Sequence, residues 1–419
     1  MTSPISTMAF HTDAANQMDA LETALSQTQQ QLSSGLKLQN AADDPVGMSQ
    51  VNQLNMQLSA SQQYVTNSDT ANSNLQLEAQ SLTDATNLLQ SASGLAIQAN
   101  NSSLNSSQLQ DIATQLQQQL QQLVGIANST NSNGDYLFAG TASTTVPFSQ
   151  TGLAVSYNGS QQASQVQISS NQRISGSDAG SNVFMNLPAG NGTFVTAAGG
   201  ANTGTAWIDP GTVTNASQWS AAAQNGPYTI SFSASTDPNA PAGSMVYSVT
   251  DTNGNPVTDS SGNPLTDIAF TSPGVIAFNG VQTTVTGSPA AGDTFTVQPA
   301  GTSSAFSSLS SLITALQNPN LTHGQLTTIL GTVQSQISGA MSSLDGVQAS
   351  VGARINAIGS AQTAAQSAQT SLQTNISSLQ DVDYAQATTQ LSTEELALQA
   401  AQESYASISK LSLFNYLQG

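Results

Sequence analysis

Hydrophobic and small residues follow a regular spacing towards the C-terminus of the chain. Between Leu330 and Leu379 they recur at alternating intervals of three and four residues. This is the heptad pattern of a coiled coil, in which one helical face is apolar and packs against partner helices. The pattern therefore predicts one long helix with a bundle seam along one side. The predicted seam residues are Leu330, Val333, Ile337, Leu344, Val347, Val351, Ile358, Leu372 and Leu379.

Two features of this predicted helix leave alternatives open. Arg354 lies on the seam, where it can set the register through a carboxylate partner or extend its charged head outwards to water. Five glycines also lie in the stretch, and we interpret them as places where a neighbouring helix approaches closely. The alternative is a composition rich in small residues. The glycines are Gly331, Gly339, Gly346, Gly352 and Gly359.

Further amphipathic patterns predict helices near both ends of the chain. The first helix ends near Gly35, and a second begins with Asp44 as its N-cap and Pro45 in its first position. A third helix follows a capping box between Ser107 and Gln110. Similar capping pairs are expected at the starts of the C-terminal helices: Thr322 with Gln325, and Asp383 with Gln386.

The pattern changes between about Gly140 and Ala305. Short alternating runs typical of β-strands appear there, separated by turn residues. The Asn-Gly pairs at 253–254 and 279–280 are hairpin signals. The clearest strand patterns are at 153–157, 228–232, 245–249 and 294–297.

Helical ends on either side of a strand-rich middle predict a mainly α fold with an inserted β domain. The N- and C-terminal segments would form a long coiled-coil helical bundle, from which a middle all-β domain projects. The predicted segments are an N-terminal segment (1–40), the N-terminal half of the bundle (41–140), the β domain (141–304), the C-terminal half of the bundle with the long heptad helix (305–380) and a C-terminal helix (381–419).

Apolar residues become more frequent towards the C-terminal end of the last helix, and we interpret this end as an assembly terminus. The N-terminal segment offers few apolar residues to cover it, and neither end is long enough to be stable as an isolated helix. We therefore expect both ends to be disordered in an isolated subunit and to become ordered when neighbouring subunits cover these apolar residues. The assembly-terminus residues are Leu411, Leu413, Phe414, Tyr416 and Leu417.

Charge and composition narrow the possible partners. Charged residues make up 6% of the 419 residues, and the net charge is −19. An acidic chain of this kind is a poor ligand for nucleic acid or for anionic membranes. No run of eighteen apolar residues predicts a membrane span, and the first residues do not resemble a general secretory signal. We expect a protein that is cytoplasmic or is exported by a route without a cleaved signal.

The sequence offers no set of residues typical of an enzyme. There is no cysteine, and the two histidines, His11 and His323, fit no metal-binding or catalytic motif, so we interpret both as solvated polar residues. Asp251, Asn253 and Asn255 resemble the start of a calcium loop, but Pro256 stands where the sharp turn needs glycine. A β-turn cluster is the better interpretation. We predict no catalytic site, no metal and no cofactor.

Three segments resemble the flagellin family, and in particular its hook-associated members. Leu32-Ser-Ser-Gly-Leu-Lys37 with Ala42-Asp-Asp-Pro-Val46 resembles the N-terminal flagellin signature. Asn133-Gly-Asp-Tyr-Leu-Phe-Ala-Gly140 resembles a motif of the hook-associated members. The end of the chain is similar as well, in Asp381-Val-Asp-Tyr384, Gln399-Ala-Ala-Gln402 and Lys410-Leu-Ser-Leu-Phe-Asn-Tyr-Leu417. The resemblance covers roughly 1–140 and 305–419.

The resemblance implies a structural subunit of the bacterial flagellum, at the junction between hook and filament. It implies export through the flagellar type III apparatus, an extracellular location, and terminal segments that form the inner core on assembly. The implied partners are further copies of the chain in a ring-like axial assembly, the other hook-associated junction protein, flagellin and an export chaperone.

Two other functions remain open from the sequence. The first is flagellin itself, the bulk filament subunit. The second is a surface adhesin whose β domain binds glycan on an aromatic platform, although aromatic residues of a β domain are more often part of the core. The platform residues would be Tyr157, Trp207, Trp219 and Tyr228.

Overall fold

The structure, a computed structural model, describes the backbone of residues 7–417 and the side chains of residues 9–407. Long helices lie towards both ends of the chain and the strands lie between them, which confirms the predicted mainly α fold with a strand-rich middle. The α-helices are α1 (Thr7–Ser34), α2 (Pro45–Ala99), α3 (Ser106–Ala127), α4 (Ala216–Ala222), α5 (Ala305–Gln317), α6 (His323–Gln380) and α7 (Tyr384–Leu417).

Polar side chains start the long helices by accepting backbone N–H groups that have no partner within the helix. Asp44 precedes Pro45 at the start of α2, and its Oδ1 accepts the N–H of Val46 at 3.0 Å. Asp383 precedes α7, and its Oδ1 accepts the N–H groups of Ala385 and Gln386 at 3.0 and 3.2 Å. Both predicted N-caps are confirmed.

Capping boxes start α3 and α6. In the box before α6, Gln325 N–H donates to Thr322 Oγ1 at 3.2 Å, and Thr322 N–H donates to Gln325 Oε1 at 2.9 Å. This confirms the predicted pair. The box before α3 joins Asn105 to Gln108, so the predicted pair of Ser107 and Gln110 is wrong by two residues. Asn105 has the extended backbone of an N-cap, whereas Ser107 already lies within the helix.

The described chain divides into two compact units, one of residues 1–66 with 361–419 and one of residues 67–360. Helices α2 and α6 each contribute residues to both units. In the first unit, α1 packs along α7. Gly35 ends α1 at φ +75°, a backbone conformation that favours glycine. The next residues pair with the end of α6: Lys37 N–H donates to Gln380 O at 2.7 Å.

The second unit contains the paired middle parts of α2 and α6, together with α3, α5 and the strands. Gln348 Nε2 on α6 donates to Thr83 Oγ1 on α2 at 3.1 Å, and Gln334 Nε2 donates to Ser93 Oγ at 2.6 Å. Most buried residues of α2 in the second unit follow the same spacing of three and four as the seam of α6, so both helices present a stripe to the core. These residues are Ser68, Ala71, Leu75, Glu78, Leu82, Ala85, Leu89, Ala92, Ala96 and Ala99.

Antiparallel sheets form the strand-rich part of the second unit. One sheet has five strands in the order β11-β10-β9-β14-β6, and another has the order β12-β13-β7, with β8 also paired to β13. Asn279 and Gly280 form the two-residue turn between β12 and β13, as the Asn-Gly signal predicted. The strands of these sheets are β6 (Phe194–Ala198), β7 (Trp207–Ile208), β8 (Thr212–Val213), β9 (Tyr228–Ala234), β10 (Met245–Thr250), β11 (Ile268–Ala269), β12 (Gly274–Phe278), β13 (Val281–Thr286) and β14 (Thr294–Pro299).

Three two-stranded ribbons complete the described strands: β1 with β2, β3 with β4, and β5 with β15. Along the sequence, their strands all lie outside the range 194–299 that contains the large sheets, and are therefore closer to α3 and α5. Their bounds are β1 (Phe148–Thr151), β2 (Ala154–Tyr157), β3 (Gln165–Gln167), β4 (Arg173–Ser175), β5 (Leu187–Pro188) and β15 (Thr302–Ser303).

An aromatic cluster is shared between helical and strand-rich segments. Phe306 of α5 packs against Phe148 of β1, with ring centroids 5.2 Å apart. Phe184 contacts both rings and also packs edge-on against Phe138, 5.1 Å away. All four rings are buried. Burial of large aromatic side chains contributes strongly to folding, so this cluster ties both kinds of segment into one core.

Candidate functional site

The predicted bundle seam of α6 is largely covered within the chain. Six of its residues are buried: Leu330, Val333, Ile337, Leu344, Val351 and Ile358. Val347, Leu372 and Leu379 are half-buried. Leu372 and Leu379 belong to the first unit and the other seven to the second. The fully covered part of the seam is therefore the part that faces α2 and the strand-rich segment within the second unit.

The predicted assembly terminus lies at the end of α7. Leu411, Leu413, Phe414, Tyr416 and Leu417 fall within the helical backbone of α7, but their side chains lie outside the described residues.

The pair of α1 and α7 buries little of its surface. Among their described side chains, only Thr28 of α1 and Ala387 of α7 are buried. Apolar side chains remain exposed on both helices: Phe10 is 40% exposed and Leu396 is 67% exposed. A helix is stabilised mainly by packing of its apolar face, so this pair has apolar surface available for other chains.

The seam glycines do not mark close approaches of a neighbouring helix, so that interpretation is wrong within the described chain. A Cβ built on Gly346, Gly352 or Gly359 would have no heavy atom within 4 Å. At Gly331 the nearest neighbour is Pro210, at an ordinary contact distance of 3.6 Å. The alternative interpretation, a composition rich in small residues, fits these surroundings.

Arg354 has a carboxylate partner, which settles the alternative left open by the sequence. Its Nη2 donates to Oδ2 of Asp178, and its Nη1 donates to the backbone O of Ser175 at 3.2 Å. The partner comes from the loop after β4 and not from another helix. The ion pair therefore joins the seam of α6 to the strand-rich segment.

Glu78 lies beside this ion pair and was missed in the sequence. Its side chain is fully buried on α2, and its Oε1 accepts the N–H of Asp178 at 3.2 Å. The pKa of Glu78 is raised to about 9, chiefly by burial and next by the negative charge of Asp178, while Arg354 acts in the opposite direction. Glu78 falls three residues after Leu75 and four before Leu82, and this seam spacing could have identified it.

The resemblance motif at 133–140 supplies core residues. Leu137, Phe138 and Ala139 are buried, and Phe138 belongs to the aromatic cluster. Gly140 follows at φ +63°, and a Cβ there would meet the carbonyl oxygen of Ser160. The motif thus has a structural reason for both its aromatic residue and its final glycine.

The two histidines have different surroundings. His323 is exposed at the first position of α6, in keeping with a solvated residue. His11 is half-buried instead, and its ring packs edge-on against Tyr405 of α7 at 5.3 Å, so its interpretation as a solvated residue is wrong. No spacing in the sequence relates His11 to Tyr405, because the two residues lie near opposite ends of the chain.

Asp251 forms the predicted β-turn cluster. Its Oδ1 accepts the N–H groups of Asn253 and Asn255 at 2.9 and 2.8 Å, and its Oδ2 accepts Asn255 Nδ2 at 3.0 Å. The hydrogen bonds from the Asn255 side chain and backbone lower the pKa of Asp251. Both carboxylate oxygens are therefore occupied by the turn. Among the described residues, no group of three or more His, Cys, Asp or Glu side chains could hold a metal ion.

The four aromatic residues of the suggested glycan platform do not form one. Trp219 and Tyr228 are buried in the core between the sheets, with ring centroids 5.9 Å apart. Tyr157 and Trp207 are half-buried, and Tyr157 packs on Phe148 in the aromatic cluster. Tyr228 faces inwards by the alternation of its strand, and Trp219 lies on α4, from which its buried side chain reaches the same core.

Comparison with known proteins places both helical ends of the chain in one family. The bacterial flagellin N-terminal helical region matches residues 5–143, and the bacterial flagellin C-terminal helical region matches residues 334–417. None of the helices in the described part of the chain is long and apolar enough to cross a membrane. The fold and these matches define a flagellin-type structural protein with an inserted strand-rich segment.

Two solved structures of hook-associated relatives match this chain over nearly their whole length. A crystal structure of flagellar hook-associated protein 3 from Legionella pneumophila is 30% identical, with a TM-score of 0.70, and the match covers 79% of this chain and 98% of that one. A crystal structure of the flagellar junction protein FlgL from Legionella pneumophila is also 30% identical, with a TM-score of 0.66, covering 79% and 99%. The chain belongs to the flagellar hook-associated protein 3 group of the flagellin family.

A curated relative agrees over a shorter region. Flagellar hook-associated protein 3 of Salmonella typhimurium is 30% identical over 158 residues, which cover 38% of this chain and 49% of the relative. The chain thus spans about half the length of this relative. The family is one of structural flagellar proteins and not a family of enzymes.

Proposed function

We propose that this chain is a structural subunit of the bacterial flagellum that forms the junction between hook and filament. The observation that carries the proposal is the match over nearly the whole length of a solved flagellar junction protein. Its partners would be other copies of the chain in a ring-like assembly, the second hook-associated junction protein on one side and flagellin on the other. Export through the flagellar type III apparatus, with an export chaperone, belongs to the same proposal.

The sparse burial of the terminal helices supports assembly through the ends of the chain. With only two described side chains buried in α1 and α7, this pair gains little stability from packing within one subunit. Neighbouring subunits would cover its apolar residues and the predicted assembly terminus. We further propose that residues 1–40 and 381–419 are disordered in the isolated subunit and form the inner core on assembly, since the cost of ordering them is met by contacts between subunits.

Deletion of Leu411–Gly419 tests the proposal in a strain that lacks the endogenous protein. The full chain should restore motility, and immunogold labelling should place it at a single point at the distal end of the hook. The truncated chain should keep the melting temperature of the monomer and fail to restore filaments. A normal flagellum built with the truncated chain would contradict the role of the assembly terminus.

The same labelling separates the proposal from its main alternative. A flagellin would be labelled along the whole filament and would dominate sheared filament preparations. Labelling confined to the junction, with the chain as a minor component, would support the hook-associated role. Curated flagellins match this chain at 28% identity over 134 residues, which cover 26% of their length.

A further inference from the structure

Glu78 is an unusual residue for a bundle seam. It occupies a seam position of α2 between Leu75 and Leu82, and its side chain is fully buried. Its Oε2 has no hydrogen-bond partner, while its Oε1 accepts a hydrogen bond from the backbone of Asp178. A buried carboxylate with an unpartnered oxygen is costly, and a neutral carboxyl group avoids most of that cost.

The groups around Glu78 link three elements of the second unit. Asp178 lies in the loop after β4 and pairs with Arg354 of α6, and Arg354 also donates to the carbonyl of Ser175 in the same segment. The loop is held further by Gly176 N–H, which donates to Ser164 O at 2.8 Å, and by Gly180 N–H, which donates to Phe138 O at 2.9 Å. Residues 175–180, here called the latch loop, are the end of β4 and the loop after it, and they bond to both helices.

We propose that Glu78, Asp178 and Arg354 form a proton-dependent latch, which holds the latch loop against α2 and α6 while the Glu78 carboxyl group carries a proton. The charged groups that face Glu78 are Asp178 from the loop and Arg354 from α6. Loss of the proton places two carboxylates side by side, one of them fully buried, and the guanidinium of Arg354 is already paired with Asp178. The latch does not depend on the proposed role in the flagellum and goes beyond it.

The direction of the pH effect follows from the two states of the loop. In the closed state the pKa of Glu78 is about 9, chiefly because of burial, and in an open, hydrated state it returns towards its ordinary value of 4.5. The closed state therefore binds the proton more tightly. Closure is most favourable below about pH 4.5, weakens as pH rises towards 9, and is constant above that. Between these limits the opening equilibrium should increase roughly tenfold per pH unit.

Hydrogen exchange of the full-length monomer measures this equilibrium directly. The N–H of Asp178 is the best reporter because it donates to Glu78 itself. After correction for intrinsic exchange rates, its protection should fall roughly a hundredfold between pH 6 and pH 8. In Glu78→Gln, which keeps the shape of the protonated acid, protection should change by less than about twofold over the same range.

Two further variants keep the test decisive. Asp84→Asn changes an exposed carboxylate on the same helix and should retain the wild-type pH profile. Asp178→Asn removes the neighbouring negative charge, so the profile should level off at a lower pH than in the wild type, even if Glu78→Gln fails to fold. Identical pH profiles in the wild type and Glu78→Gln, or no shift in Asp178→Asn, would overturn the latch.

Discussion

At the scale of single residues, glycines in α6 and at Gly140 show that the effect of a glycine on stability depends on its backbone conformation and its neighbours. Gly346 and Gly359 lie inside a helix with open space around the position of a Cβ, whereas Gly140 adopts a left-handed backbone against a neighbouring carbonyl. Glycine in a helix interior loses more conformational entropy on folding than alanine does. The same residue type is therefore a cost at the first two positions and a requirement at the third.

Gly346→Ala should accordingly raise the free energy of unfolding by about 1 kcal/mol, the difference in helix propensity between the two residues. Urea denaturation of the full chain, followed by circular dichroism, would measure it. Gly140→Ala is the matched comparison and should destabilise the second unit, because its Cβ would meet the Ser160 carbonyl. A destabilised Gly346→Ala monomer would show that this face of α6 packs closely against another part of the chain.

At the scale of elements, α6 presents one stripe to two different environments. Between Leu330 and Ile358 its apolar seam residues are buried except for the half-buried Val347, whereas Leu372 and Leu379 are both half-buried. The heptad spacing is the same throughout. Burial differs because α2, α5 and the strand-rich segment cover the helix in the second unit, while the first unit offers fewer side chains.

Leu344→Asp tests the register of the seam. Leu344 is 1% exposed, so this change removes a buried apolar side chain and places an unpaired charge in its position. The loss of stability should be at least about 3 kcal/mol. Ser342→Asp, at an exposed position two residues earlier, should change stability by less than about 0.5 kcal/mol. Thermal melts of the two variants that coincide would mean that the register is wrong.

At the scale of the whole molecule, the strand-rich segment has two separate cores, one of its own and one that it shares with the helices. The core between the two large sheets is built from residues between Phe194 and Val297. Nearer the helices, Phe148 and Phe184 share the aromatic cluster with Phe138 and Phe306. The insert therefore cannot be cut at any point without consequence, since its inner ribbons complete the core of the helices.

A deletion that removes only the core of the large sheets should distinguish it from the aromatic cluster shared with the helices. The ribbon of β5 and β15 brings Ala189 and Gly301 together, with a hydrogen bond of 3.0 Å from Ala189 N–H to Gly301 O. Replacing residues 191–299 by a short turn should leave a cooperatively melting protein with a higher helical fraction, because closing a shorter loop costs little. Circular dichroism would measure both quantities.

The comparison for that deletion is removal of the entire segment 141–304. It takes Phe148 and Phe184 away from Phe138 and Phe306, and should unfold the second unit or abolish its cooperative melt. If both deletions melt alike and cooperatively, the aromatic cluster is not part of the core that holds the helices.

Local chemistry in the sequence was enough to predict the long helices, most of their caps and the strand-rich middle, although not the short helix α4 within it. Heptad spacing, N-cap residues such as Asp44 and Asp383, and the Asn279-Gly280 turn act over a few residues, so their consequences can be seen without knowing the rest of the fold. The wrong capping box at the start of α3 is an error of the same local kind, because two neighbouring polar pairs, Asn105 with Gln108 and Ser107 with Gln110, both fit the capping pattern.

Only the tertiary structure decided which distant groups meet. Arg354 and its partner Asp178 are separated by 176 residues, and no spacing in the sequence relates them. The same holds for the buried proton site at Glu78, the inward direction of Trp219 and Tyr228, and the aromatic core shared by α5 and β1. Periodicity states that a side chain will be buried, but the charge, partners and protonation of its surroundings depend on segments that the chain brings together only when it folds.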